Sequence, residues 1–237
     1  LRTRRQRQMC IRDRFKLHKE LSYIGKRLSI IYCIFSNIIH LSKISYMNNL
    51  IIVSHPDKKS FCYNGIFQTI LDEIKGTKEN LEIIDLYNEP FSNPKPELIT
   101  KYQNLIKWSN KIYFISPVWW FRLTPRMEMF FDLVFTPGFA FDFVNITKIY
   151  AYPKSYLKDK KIRTYMTHGA PALPVMTLYL NSIKLRLVMG VYSFVFGWKP
   201  SLWFKTKQFW SVPFTTEKKR LKYLEVVKKD LRKDLNK

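Results

Sequence analysis

His55, Lys58, Lys59 and Ser60 crowd into "SHPDKKS" (54–60), directly after the apolar run "NLIIV" (49–53). Those residue types suit an anion. A serine at a helix start caps one free amide, the neighbouring amides and the helix dipole attract negative charge, and His55 and the lysines add donors. The same residues also make an ordinary helix cap with solvated lysines. A second cluster lies in "SPVWWFRLTP" (116–125), where Pro117 and Val118 precede Trp119, Trp120 and Phe121. Flat side chains at a strand end can wall a planar ring system, or can simply pack under the next helix. The third is "THGAP" (167–171), in which Thr167 and His168 offer donors and Gly169 permits close backbone approach. As a bare turn it needs no ligand. Cys10, Cys33 and Cys62 form no CxxC pair and no metal spacing, so no metal site is expected.

The elements around these clusters place them together. The run at 49–54 reads as a buried parallel strand. A helix follows over 60–75, with Phe61, Ile66, Phe67, Ile70, Leu71 and Ile74 at helical spacing. Strand 81–87, a Pro-rich loop at 88–96, helix 97–109, strand 111–116 and helix 125–135 come next. An irregular aromatic stretch leads to strand 161–169, helix 174–190, a fifth strand within 200–210 and a basic C-terminal helix. Alternation of this kind implies an α/β fold, a five-stranded parallel sheet with helices on both faces. Ligands bind such sheets at the carboxyl ends of the strands, where strand order reverses. The loops 54–61, 116–123 and 167–173 all fall there.

Composition restricts the class further. Hydrophobic content of 46% and charged content of 25% are those of a globular domain rather than a disordered chain. The net charge of +23 admits a nucleic-acid or anionic-membrane surface. Residues 1–46 carry 11 Lys/Arg against 2 Asp/Glu, and much of the remaining excess sits in the C-terminal helix. There, Leu221, Leu224, Val227 and Leu231 share one face, and the charges read as its solvated side. No ordered aromatic or arginine readout accompanies them, so nucleic acid is not an expected partner. Residues 1–46 read as a spurious or disordered leader ahead of a domain over 47–237. "LRTRRQRQMCIRDR" resembles translated sequencing adapter, and Met47 stands just before the first strand. The alternative, an anchor at 28–41, is 14 residues long, short of the roughly 20 that span a bilayer. Membrane association is therefore not expected. The cysteine pattern suits a reducing, cytoplasmic setting.

The segments "VSHPDKKSFCYNGI", "DLYNEPFSNP", "ISPVWWFRLTPRMEMFFDLVFTPGFAFDF" and "MTHGAP" together resemble the flavodoxin-like NAD(P)H:quinone oxidoreductases of DT-diaphorase type. The likeness runs from about Met47 to the C-terminus and is most specific at 115–143. It implies a three-layer flavodoxin-like fold, a non-covalent FMN or FAD, and hydride transfer from NAD(P)H through the flavin to a quinone or similar acceptor. By matching position, His55, Ser60, Phe61 and Cys62 would surround the flavin phosphate. Pro117, Val118, Trp119, Trp120 and Phe121 would border the ring system, and Thr167, His168 and Gly169 would approach its pyrimidine side, with His168 as the candidate catalytic donor. Members are usually homodimers with the pocket completed by the partner chain. Several positions depart from the pattern: Cys62 replaces a common Asn, Arg122 a small residue, Met129 a frequent Lys, and His168 a glycine. The Tyr and His that assist hydride transfer in the best-known members have no match here. The same fold and loops would also serve a flavin-binding regulatory subunit of a membrane transporter with little turnover.

Overall fold

β1 (Asn48–Val53) is buried on both faces, which forces it to the middle of a sheet. In the computed structural model, which describes residues 47–149 and 151–235, it pairs in parallel with β2 (Asn80–Asp85) on one side and β3 (Lys111–Val118) on the other. β3 pairs with β6 (Lys161–His168), and β6 with β7 (Thr206–Phe209). The order is β2-β1-β3-β6-β7, so the chain reverses direction across the sheet between β1 and β3. Residues 1–46, read above as a leader, lie outside the described residues, and with them the adapter-like start, the segment 28–41, Cys10 and Cys33.

Period-two alternation divides the core. Leu50, Ile52, Ile112, Phe114, Ile162 and Met166 face one helical layer, built from Pro96–Trp108, Pro125–Val134 and the segment 183–196. Ile51, Val53, Tyr113, Ile115 and Tyr165 face the other, built from the helix that starts at Phe61 and the C-terminal helix Glu217–Asp234. The five-stranded parallel sheet covered on both sides is thus the expected one.

Local differences from the expected elements have physical reasons. The helix after β1 opens as a π-helix over Phe61–Phe67 and becomes α-helical only at Gln68–Lys75. The strand expected within 200–210 is four residues long, because Pro200 starts a short helix, Pro200–Lys205, ahead of it. The continuous helix expected over 174–190 is broken. Ala172–Met176 ends early, Leu180 and Asn181 take left-handed backbone, and helix resumes at Ser182. The stretch expected to be irregular contains an antiparallel pair, β4 (Phe141–Asn145) and β5 (Ala151–Ser155), outside the main sheet. On the C-terminal helix, Val227 and Leu231 are buried as expected, but Leu221 is exposed; Tyr223 instead packs beside Phe209.

One ion-pair cluster fastens that helix. Arg163, buried in β6, donates through Nε and Nη2 to both Asp234 oxygens at 2.6 and 2.8 Å, and its Nη1 lies 3.0 Å from Asp230. Lys111 donates to the Asp234 carbonyl at 2.6 Å and pairs with Glu79. Arg163→Ala leaves two mostly buried carboxylates without their cation, and is expected to lower unfolding free energy by about 3 kcal/mol. Combining Arg163→Met with Asp230→Asn and Asp234→Asn should return much of that loss in urea titration.

Candidate functional site

The carboxyl ends of β1, β3 and β6 lie in register, with Val53 opposite Ile115, Ile115 opposite Tyr165, and Val118 opposite His168. Three loops therefore meet at one rim. Beneath them a buried polar set closes the sheet: the Ser54 and Thr124 hydroxyls are hydrogen-bonded, and the Thr124 amide donates to Ser116 Oγ at 3.3 Å.

In the first loop, Ser60 caps the helix. Its Oγ accepts from the Tyr63 amide at 3.2 Å, and its hydroxyl donates to the Asp57 carbonyl at 2.7 Å. The Phe61 and Cys62 amides precede the first bonded turn and point to the helix mouth. Their side chains go elsewhere. Phe61 lies beside Tyr223, and Cys62 is buried in the core with its thiol pushed up to about 12 by burial, against an opposing hydrogen bond from Thr167. The thiol is inert at neutral pH. His55 Nδ1 accepts from the Asp57 amide at 3.0 Å, and burial lowers its basicity. Lys58 is not free: it pairs with Asp85 and lies 4.2 Å from the Tyr63 ring centre, while Tyr63 donates to Asp85 at 3.1 Å. Lys59 stays in solvent.

The second loop is a tight reversal. The Trp119 amide donates to the Arg122 carbonyl at 2.8 Å, and the Arg122 amide returns to Trp119 at 2.9 Å. The two residues between, Trp120 (φ 49°) and Phe121 (φ 59°), are left-handed, a conformation that costs a non-glycine residue about 1–2 kcal/mol. Pro117 sits within β3, where its missing N–H falls at the end of the ladder, and Val118 is half-buried. The turn sends Trp119 toward the first loop, edge-on to His55 at 6.1 Å, and Phe121 onto Tyr179 at 4.4 Å. Trp120 is 95% exposed. Arg126, the second residue of the following helix, donates to the Leu86 carbonyl at 2.6 Å and lies over the Tyr87 ring, holding the loop after β2 to this rim.

In the third loop, Thr167 and His168 are buried on opposite faces of β6. Thr167 reaches the Cys62 thiol, and His168 lies against the Trp210 ring at 4.2 Å. A Cβ added to Gly169 would meet nothing within 4 Å, so the space before it is open. His168 Nε2 is 3.1 Å from Gln208 Nε2, and Gln208 exchanges two hydrogen bonds with Asn181. Burial pushes the imidazole down to about 4. Thus the rim brings together His55, Ser60, the Phe61 and Cys62 amides, Trp119, Phe121, His168 and Gly169, while the Cys62 thiol, the Phe61 ring and the Thr167 hydroxyl point below it. Tyr179, Asn181, Gln208 and Trp210 belong to the rim without any sequence signal beyond the left-handed tolerance of Asn181. Grooves of about 810 Å³ beside Glu82, Lys101 and Trp108, and about 460 Å³ beside Phe141 and Phe194, lie away from the rim. Their residues bring no converging donors of this kind. Among the described residues no cluster of three His, Cys, Asp or Glu side chains could hold a metal ion, and no helix is long and apolar enough to cross a membrane.

Two measurements probe this geometry. An unfolded imidazole binds its proton near pH 6.5, the folded His168 only near pH 4. Between those values the unfolded chain holds more protons, so stability falls as pH drops through that window, by up to about 3 kcal/mol at its acid end. His168→Gln should remove that part of the slope in urea titrations at neutral and acid pH. Trp120→Asn, which places a residue tolerant of left-handed backbone at an exposed position, is expected to raise the unfolding free energy by about 1 kcal/mol in the same assay.

The chain's likeness to known proteins agrees with this architecture. Smu.1420 of Streptococcus mutans superposes with a TM-score of 0.65 at 21% identity, covering 79% of this chain and 100% of that one. The NAD(P)H:quinone oxidoreductase of Methanothermobacter marburgensis gives 0.58 at 19% identity, covering 78% and 95%. An FMN-dependent NADH-azoreductase of Bacillus anthracis, solved in complex with FMN, gives 0.59 at 14% identity, covering 78% and 97%. Identities this low establish a shared fold. No curated protein matches the sequence significantly. The protein-family model described as the flavodoxin-like fold matches residues 47–178, over half of the chain, and the chain belongs to that family.

Proposed function

We propose that this protein is a flavin-dependent NAD(P)H oxidoreductase that binds FMN at the carboxyl rim and delivers two electrons to a quinone or a similar acceptor. The observation that carries the reading is the convergence, on one rim, of a serine-capped helix mouth, an aromatic turn and a buried histidine beside an open glycine. These residues fit the group. The Phe61 and Cys62 amides with Ser60 and His55 suit its phosphate, because a helix mouth binds an anion through backbone donors and needs no glycine cradle. Trp119 and Phe121, with Pro117 and Val118 behind them and Trp120 beyond, offer apolar surface for a planar ring. The Gly169 backbone and His168 are the candidate donors to the polar edge of that ring.

Bound flavin would supply the hydride chemistry, and the protein's part is to bind, orient and exclude water. FMN rather than FAD is favoured by the bound cofactor of the Bacillus anthracis azoreductase, and NAD(P)H and quinone by the activity of the Methanothermobacter marburgensis enzyme. A homodimer accords with the apolar side chains standing in solvent around the rim: Trp120, Leu173, Leu178 and Leu180 are each at least 74% exposed. A second copy over them would complete the wall of the pocket. The chemistry suits a cytoplasmic enzyme with access to reduced nicotinamide.

The purified full-length protein is expected to show flavin absorbance, or to gain it on incubation with FMN, and to oxidise NAD(P)H when a quinone is added. Protein that stays colourless with FMN overturns the reading. Tight flavin binding with negligible turnover retains the cofactor, overturns the enzymatic role and leaves a regulatory one.

A further inference from the structure

Away from the carboxyl rim, residues 188–204 enclose an apolar pocket of about 270 Å³. The short helix Pro200–Lys205 on its border leads into Thr206, which pairs with Thr164 midway along β6. The pocket therefore lies at the β7 edge of the sheet. Val188 and Leu202 in its wall are buried, Trp203 is half-buried, and Met189, Trp198 and Phe204 stand 40, 60 and 73% exposed. The lining hydroxyl, Ser193, donates back to the Met189 carbonyl. Such a volume falls just under the roughly 300–1,000 Å³ of pockets that take whole drug-sized ligands, and suits a hydrocarbon chain.

Charge is confined to the border. Lys199 lines the pocket and gives one of its N–H donors to the Lys158 carbonyl, while Lys184 lies 4.5 Å from the centre of the Trp203 ring. Their neighbours are mostly cations too, Lys207 beside Lys184, and Lys158 and Lys205 beside Lys199. The acid near Lys199 is Asp159, which pairs with Lys160. From Lys160 to Thr216 the sequence carries eight lysines and arginines and no Asp or Glu. Burial, and then Lys207, pushes Lys184 down to about 8, a shift that an adjoining anion would oppose.

We propose that this pocket binds the hydrocarbon chain of a single-chain anionic amphiphile, a fatty carboxylate, whose head group meets the ammonium groups at the border. The chain would cover Met189, Trp198 and Phe204 and remove apolar surface from water. The carboxylate would place negative charge in a field that is otherwise positive. The site lies away from the rim and does not depend on flavin binding.

Decanoate, added to the full-length protein below its micelle concentration, tests this. Trp198 and Trp203 line the pocket, so tryptophan fluorescence should respond saturably, with one decanoate bound per chain in calorimetry. Each methylene removed from the chain should weaken binding roughly fourfold. 1-Decanol should bind about tenfold more weakly than decanoate, and Lys184→Gln combined with Lys199→Gln should bring decanoate to the level of the alcohol. Phe204→Asp, at an exposed position of the wall, should weaken decanoate by more than about tenfold. Phe214→Asp, exposed but not part of the lining, should leave it unchanged. Absence of saturable decanoate binding overturns the proposal, as do equal affinities for alcohol and carboxylate, or binding that Phe204→Asp leaves intact. Binding to phosphatidylglycerol vesicles without binding of free decanoate overturns it in favour of a membrane surface. A dimer that Phe204→Asp converts to monomer, with no decanoate bound by either form, overturns it in favour of a second copy. If Phe204→Asp fails to fold, the chain-length and head-group comparisons on the wild type decide. FMN titration of Phe204→Asp should match the wild type, so loss of this site and loss of the flavin reading are distinguishable.

Discussion

A parallel sheet buried on both faces has only its two rims for polar chemistry, and everything distinctive here follows from that. β1 offers no polar side chain between Leu50 and Val53, and β3 none between Ile112 and Ile115 apart from the Tyr113 hydroxyl. Groups that must meet water, a counter-charge or a ligand are pushed to the strand ends. At the carboxyl end Ser54 follows β1, Ser116 lies near the end of β3, before Pro117 and Val118, and Thr167–His168 end β6.

The carboxyl rim is held in shape by a ring of contacts between segments far apart in sequence. His55 meets Trp119, Phe121 meets Tyr179, Asn181 meets Gln208, and Gln208 meets His168. Two of the joints, Trp120–Phe121 and Leu180–Asn181, are paired left-handed residues, where the chain turns sharply enough to bring one side chain onto a neighbouring loop. Neither turn uses glycine, so each carries a conformational cost that surrounding contacts must offset.

How much of this was legible in the sequence depended on whether the deciding contact was local. β1 and β3 could be read from their apolar runs, and the helix after β1 from its cap and spacing. The three loops could be placed together because topology follows from strand–helix alternation. β7 was blurred because only Thr206–Phe209 is extended and the preceding "PSLWFK" is as apolar as a strand. The β4–β5 pair was missed because its strands are mostly exposed and show no clean alternation. Ser60 announced its cap, yet nothing local could say that the Cys62 thiol turns inward or that Lys58 is taken by Asp85. Gln208 was silent for the same reason: its partners, Asn181 and His168, lie 27 and 40 residues away.

The two rims also differ in which polar groups they hold and how those groups are paired. At the amino rim many of the groups bond one another, although Asn49 Oδ1 and Asp230 Oδ2 are buried without a hydrogen bond. The Asn48 amide donates to the Asn110 side chain, Asn80 donates to Asn48, Asn49 to Glu79, and Lys111 divides itself between Glu79 and the last turn of the C-terminal helix. Arg163 is saturated by Asp230 and Asp234. Such a rim is a fastening, since a ligand there would have to displace existing bonds. At the carboxyl rim the first helical amides of Phe61 and Cys62 precede any intrahelical partner, and among the described residues His168 Nδ1 makes no hydrogen bond. Free amides at a helix start are the donors that the function proposed above would use to hold an anion.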